Sequence, residues 1–116
     1  MALAGLYDIT ADQGATFSRV FTWKDSSGTP VSLVGWTGRM QVRTRTPVTS
    51  TVLELTSANG RMVLGDAAGT VTLTVTAADM ANVAAGGYMY DLELVNGSTV
   101  ERLVMGSFTV RGEVTR

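Results

Sequence analysis

Gly86-Gly87-Tyr88-Met89-Tyr90-Asp91-Leu92-Glu93-Leu94 alternates without a slip once its two glycines are passed. Tyr88, Tyr90, Leu92 and Leu94 fall on one face, and Met89, Asp91 and Glu93 on the other. Successive side chains of a strand point to opposite faces, so the pattern predicts a half-buried strand with its apolar side inward. The rest of the chain is expected to be arranged around this central strand. Upstream, Ala77 to Ala85 is rich in alanine with Asp79 near its start, which predicts a short helix. Downstream, Asn96-Gly97-Ser98 reads as a turn and Thr99 to Val110 as the last strand, a hairpin whose register the Asn-Gly pair fixes.

The earlier segments are short strands between turn signals. Tyr7 to Thr10 is expected to be a first edge strand, and Ala15 to Asp25 the first long one. In the latter, Phe17, Arg19, Phe21 and Trp23 share the predicted core face, with Arg19 snorkelling outward. Asp25-Ser26-Ser27-Gly28-Thr29-Pro30 is a turn by residue type. Trp36, Gly38, Met40 and Val42 form the next inward face, opposite Thr37, Arg39, Gln41, Arg43 and Arg45. Thr51 to Thr56 and Arg61 to Leu64 are predicted to form a hairpin about Asn59-Gly60. Thr70 to Thr76 alternates threonine with Val71, Leu73 and Val75, a strict period of two.

The order Gly86-x-Tyr88-x-Tyr90 resembles the entry to a late strand of immunoglobulin-like sandwiches. There a tyrosine hydrogen-bonds back across the corner, and Tyr90 takes the place that antibody domains give to a cysteine. The expected fold class is therefore all-β: a single immunoglobulin-like antiparallel β-sandwich of about seven to nine strands, with one short helix before the central strand. With 116 residues, one domain over 1–116 is expected, preceded by a short arm at 1–6 in which Leu3 and Leu6 dock on something.

Composition removes most chemistry. The chain has no cysteine and no histidine, which excludes disulfides, thiolate or imidazole metal sites and His-dependent nucleophiles. A net charge of −1 argues against nucleic-acid and anionic-membrane partners. No apolar run approaches the ~18 residues of a membrane helix, and the first residues lack the basic start of a signal peptide. Gly86-Gly87 opens onto a strand, not a helix, so it is no phosphate cradle. Asp8, Asp12 and Asp66 are too sparse for a calcium loop. No metal, cofactor or small-molecule substrate is expected, and the chain is not expected to be an enzyme.

Two charged sets need weighing. Asp91 and Glu93 could be a glycosidase acid and base. In an immunoglobulin-like sheet, however, their strand lies beside the one carrying Arg39, Arg43 and Arg45, and cross-strand ion pairs account for both sets as a solvated face. The remaining use of the arginines is a contact with a protein partner; together with Leu3 and Leu6 they are the candidate interface residues. Trp23 and Trp36 could stack on sugars if exposed, although packing in the core or as plugs at the sandwich end is the favoured reading of both. Met40, Met62 and Met105 fit as core filler.

A wider pattern carries a resemblance. It comprises Gln13-Gly14, Phe17, Phe21-Thr22-Trp23-Lys24-Asp25, Gly28-x-Pro30-Val31-x-Leu33, Gly35-Trp36 and Arg39-Met40-Gln41-Val42-Arg43. It continues through Ala78-Asp79, Gly87-Tyr88-x-Tyr90-Asp91-Leu92-Glu93-Leu94, Arg102-Leu103, Gly106-x-Phe108-x-Val110 and Glu113-Val114-Thr115. The chain thereby resembles small structural proteins of tailed bacteriophages, namely the β-sandwich domain of siphophage collar proteins that anchor side tail fibres. It is also similar to the immunoglobulin-like amino-terminal domain of baseplate upper proteins.

The resemblance implies a virion tail component, made and folded in the bacterial host cytoplasm. It also implies assembly with copies of itself, as a trimer or ring, and with other tail proteins. It brings no catalytic residues. The sequence ends at Arg116 without a fibre module, so attachment is expected through the sandwich, its loops or its arm. Tyr7 to Thr10 and Thr51 to Thr56 are candidate edges for such pairing. A capsid decoration protein is the nearest alternative, and a host-glycan-binding module the alternative of another class.

Overall fold

In the computed structural model, residues 5–44 and 51–112 are described; Leu3, Arg45 and the first four arm positions lie outside them. Nine strands form two sheets. They are β1 (Gly5–Leu6), β2 (Ile9–Asp12), β3 (Phe17–Thr22), β4 (Thr37–Arg43), β5 (Thr51–Thr56), β6 (Met62–Leu64), β7 (Thr70–Val75), β8 (Gly86–Asn96) and β9 (Thr99–Arg111). The large sheet runs β1-β9-β8-β4-β5 with β2 also on β9, and the small sheet runs β3-β7-β6. The chain crosses between sheets after β2, β3, β5 and β7. This is an all-β sandwich, with the predicted central strand β8 in the middle of the large sheet.

Alternation explains the burial. Tyr88, Tyr90, Leu92 and Leu94 of β8 point inward, meeting Met40 and Val42 of β4 and Phe108 and Val110 of β9. From the small sheet, Phe17, Val71, Leu73, Val75 and Met62 close the other side. Phe108 has no exposed surface and packs edge-on to both Phe17 and Tyr90, at ring separations of 5.5 and 6.2 Å. Burying large apolar side chains contributes roughly 1.5–3 kcal/mol each, so this inner layer holds the two sheets together. Gly38 completes it, because a β-carbon there would strike the Met62 thioether.

The corner before β8 takes the expected form. A helix α1 (Ala77–Met80) starts at Thr76, whose hydroxyl accepts the Asp79 main-chain N–H. That cap satisfies a donor left free by helix geometry. Tyr88 then reaches back, its hydroxyl donating to the Ala84 carbonyl at 2.6 Å.

Three details depart from the sequence reading. First, β1 and β2 pair with β9 in parallel, so the sheet is antiparallel only from β9 onward. The first strand is split: Gly5–Leu6 and Ile9–Asp12 are separated by Tyr7 and Asp8. Second, Asn59-Gly60 joins no hairpin, because β5 pairs with β4 and β6 pairs with β7 in the opposite sheet. Asn59 accepts the N–H groups of Thr56 and Arg61 on its side-chain oxygen, bending the chain across the sandwich. Third, Met105 is not core filler: a register shift in β9 opposite Leu92/Glu93 turns it to the outer face, 37% exposed. Met40 and Met62 are buried as expected.

Candidate protein-interaction face

The outer face of the large sheet collects the candidate residues that the structure describes. Its register sets three rows across the strands. One row holds Arg102 of β9, Glu93 of β8, Arg39 of β4 and Thr56 of β5. The next holds Leu6 of β1, Met105 of β9, Asp91 of β8, Gln41 of β4 and Glu54 of β5. The third brings Ser107, Met89 and Arg43 together.

Charges on this face are paired within the chain. Glu93 takes Arg39 Nε at 2.9 Å and Arg102 Nη2 at 3.5 Å, while Arg102 Nε lies 3.4 Å from Asp91. Such exposed pairs contribute about 0.2–1 kcal/mol each; their larger effect is to hold the side chains in place. Arg43 Nε donates to Gln41 Oε1 at 3.0 Å, and Gln41 Nε2 donates to Glu54 at 2.9 Å. The ladder predicted from sequence therefore forms with Arg39, and Arg43 is held in part by the Gln41 amide. Asp91 and Glu93 share the Arg102 guanidinium.

Arg102 is the member that the sequence reading missed. The signal was present: if Asn96 pairs with Thr99 across the turn, counting back places Glu93 opposite Arg102.

Beside the ladder lies an apolar patch. Leu6 is 83% exposed, Met89 44% and Met105 37%, and all three are neighbours on this face. A shallow depression of about 460 Å³ runs between Met89, Met105, Asp91 and Arg43. Methionine and arginine are enriched at protein interfaces, and a charged rim about an apolar centre is their usual anatomy.

The edges of the sheets tell a different story. On β5, the Glu54 carbonyl receives Asn59 Nδ2 at 3.0 Å and Arg61 Nη1 at 2.9 Å, and Asn59 also holds the Thr56 N–H. Side chains thus occupy main-chain groups that a further strand would need. Arg19 does the same along the other seam, donating to the Thr10 and Ser18 carbonyls at 2.9 Å. Its guanidinium also lies 5.2 Å from the Phe17 ring centre. Side chains thus cover main-chain groups at both expected edges, which hinders strand addition there.

Trp23 and Trp36 stand edge to face, ring centres 5.4 Å apart and both half-buried. Each ring packs on the other, so the pair presents no coplanar platform for a sugar. Among the described residues, no group of three or more metal-binding side chains comes together and no helix is long and apolar enough to cross a membrane. No protein-family model matches the chain, and a comparison with curated proteins finds no match.

Proposed function

We propose that this chain is a non-enzymatic structural component of a bacteriophage virion. Its role is that of a tail adaptor, collar or baseplate protein that assembles as an oligomer around the tail and helps attach fibres. The resemblance to collar and baseplate-upper sandwiches supplies the setting. The observation that carries the reading is the outer face of the large sheet, where Leu6, Met89 and Met105 are exposed beside charges already held in position. Preordered side chains lose little freedom on association, which favours docking on this surface. The partners are copies of itself and other tail proteins.

Immunogold labelling of particles from a host that encodes the chain tests this reading. Label on the tail, at the collar or baseplate, is expected. Label confined to the head would convert the reading to capsid decoration, and unlabelled particles would contradict a virion role altogether.

A further inference from the structure

Building on that reading, we infer that the large-sheet face binds a second copy of the same chain, with a two-fold axis running along the strands between β8 and β9. The argument is the distribution of charge. Arg39, Arg43 and Arg102 balance Glu54, Asp91 and Glu93, so two such faces meet without net repulsion. Rotation about this axis lays each β8 residue over the β9 residue of the same row in the other copy. Glu93 then faces Arg102 of the second copy, and Arg102 faces its Glu93, so the Glu93–Arg102 pair is repeated across the interface, while Arg39 falls over the β1 side of the other copy. In the next row Met105 of each copy lies over Asp91 of the other, and in the third Met89 lies over Ser107, so the four methionines line the axis beside the two facing depressions. The interface has methionines along its axis and the reciprocal Glu93–Arg102 pairs at one end.

Other registers fit less well. An axis centred on β8 would set Arg102 over Arg39, like against like, at a cost. Face-to-face packing of two sheets is an established geometry, with a spacing of about 10 Å that long methionine side chains bridge. With strands ~4.8 Å apart and ~3.3 Å per residue, the four strand positions that overlap about this axis span on the order of 400 Å² before side-chain relief, the size of a weak, concentration-dependent contact. Thioethers adapt to the irregular gap, and the prearranged arginines limit the ordering cost.

Charge exchange tests the axis directly. Sedimentation velocity is run on wild type, Glu93→Arg, Arg102→Glu and an equimolar mixture of the two variants. Wild type is expected to approach twice the monomer mass as concentration rises, and each variant alone to remain monomeric. The mixture regains the doubled mass, because one chain then carries two cations in this row and the other two anions. Mixing cannot repair pairs within a chain, so the rescue reports contact between chains. A mixture that stays monomeric while wild type doubles overturns the proposed axis. Wild type that stays monomeric up to about 1 mM, a millimolar affinity limit, overturns self-association through this face.

A second variant guards against misfolding. Met89→Glu with Met105→Glu is expected to be monomeric with a thermal midpoint within a few degrees of wild type, since both side chains are exposed. Retention of the wild-type mass by that variant also overturns the inference. Tail labelling is read on particles and does not depend on a dimer in solution, so the two readings fail separately.

Discussion

The Tyr90 hydroxyl donates to the Tyr7 carbonyl across 2.5 Å, tying the central strand to the break in the first strand, 83 residues earlier in sequence. The same break is held from β9, where the Ser107 N–H donates to Asp8 Oδ1 at 3.1 Å. Parallel pairing of a short terminal strand is weak by itself, so these two bonds and the inward side chains of Ile9 and Ala11 decide whether it stays docked. Burial, and after it the negative charge of Asp8, pushes the Tyr90 phenol up to about 12.

That shift sets an alkaline limit. The folded value lies above the ~10 of an unfolded tyrosine, so the contribution is fully present below pH ~10 and is lost as pH rises through the folded value. Tyr90→Phe removes the bond and is expected to cost about 1 kcal/mol at neutral pH. Its stability should then fall less steeply than wild type between pH 10 and 12. Urea melts across that range check the sign; parallel curves would refute it.

Gly106→Ala tests the close approach at the same place. A β-carbon there meets the Tyr7 carbonyl oxygen and lies 2.9 Å from Asp8 Oδ1, so main chain must move. Overpacking of this kind costs about 1–3 kcal/mol. Hydrogen exchange should rise at residues 5–8 and in β9 opposite them while β4 and β7 remain protected. Uniform loss of protection would show instead that the terminal strand belongs to the global fold.

Asn59→Ala removes the acceptor for the Thr56 and Arg61 N–H groups and the donor to the Glu54 carbonyl. A loss of about 1–2 kcal/mol is expected. The uncovered β5 edge should also raise aggregation rates in light-scattering assays on heating, in line with the hazard of bare edges. Unchanged aggregation would mean that Arg61 alone protects the edge.

Phe108→Ala opens a void between the sheets where Phe17 and Tyr90 now pack on the ring. Deletions of this size cost about 3–5 kcal/mol, a large share of the ~5–15 kcal/mol that holds an ordinary domain folded. Chemical denaturation reads the loss, and a cost under ~1 kcal/mol would contradict the place given to this ring in the core.

Much of this was legible in residue order. The strict alternation of β8 and of Thr70–Val75, the glycines before Tyr88 and the alanine-rich corner all follow from local geometry that periodicity reports. What escaped was non-local. Asn59-Gly60 has the chemistry of a hairpin, but the core face of Met62 is satisfied only in the other sheet, so packing overrides the turn signal. Met105 was misplaced because a register shift adds a residue that alternation cannot foresee. Leu6, assigned to the arm, belongs to β1. Its place beside Met105 depends on a parallel pairing between the two ends of the chain.

Light scattering of the purified wild-type chain over a wide concentration range tests the central claim most directly, namely that an exposed, charge-balanced sheet face exists to bind another subunit. The account predicts a mass that rises with concentration to at least twice the monomer, and a return to monomer mass with Met89→Glu and Met105→Glu. A wild-type chain that remains a monomer at every concentration would contradict it.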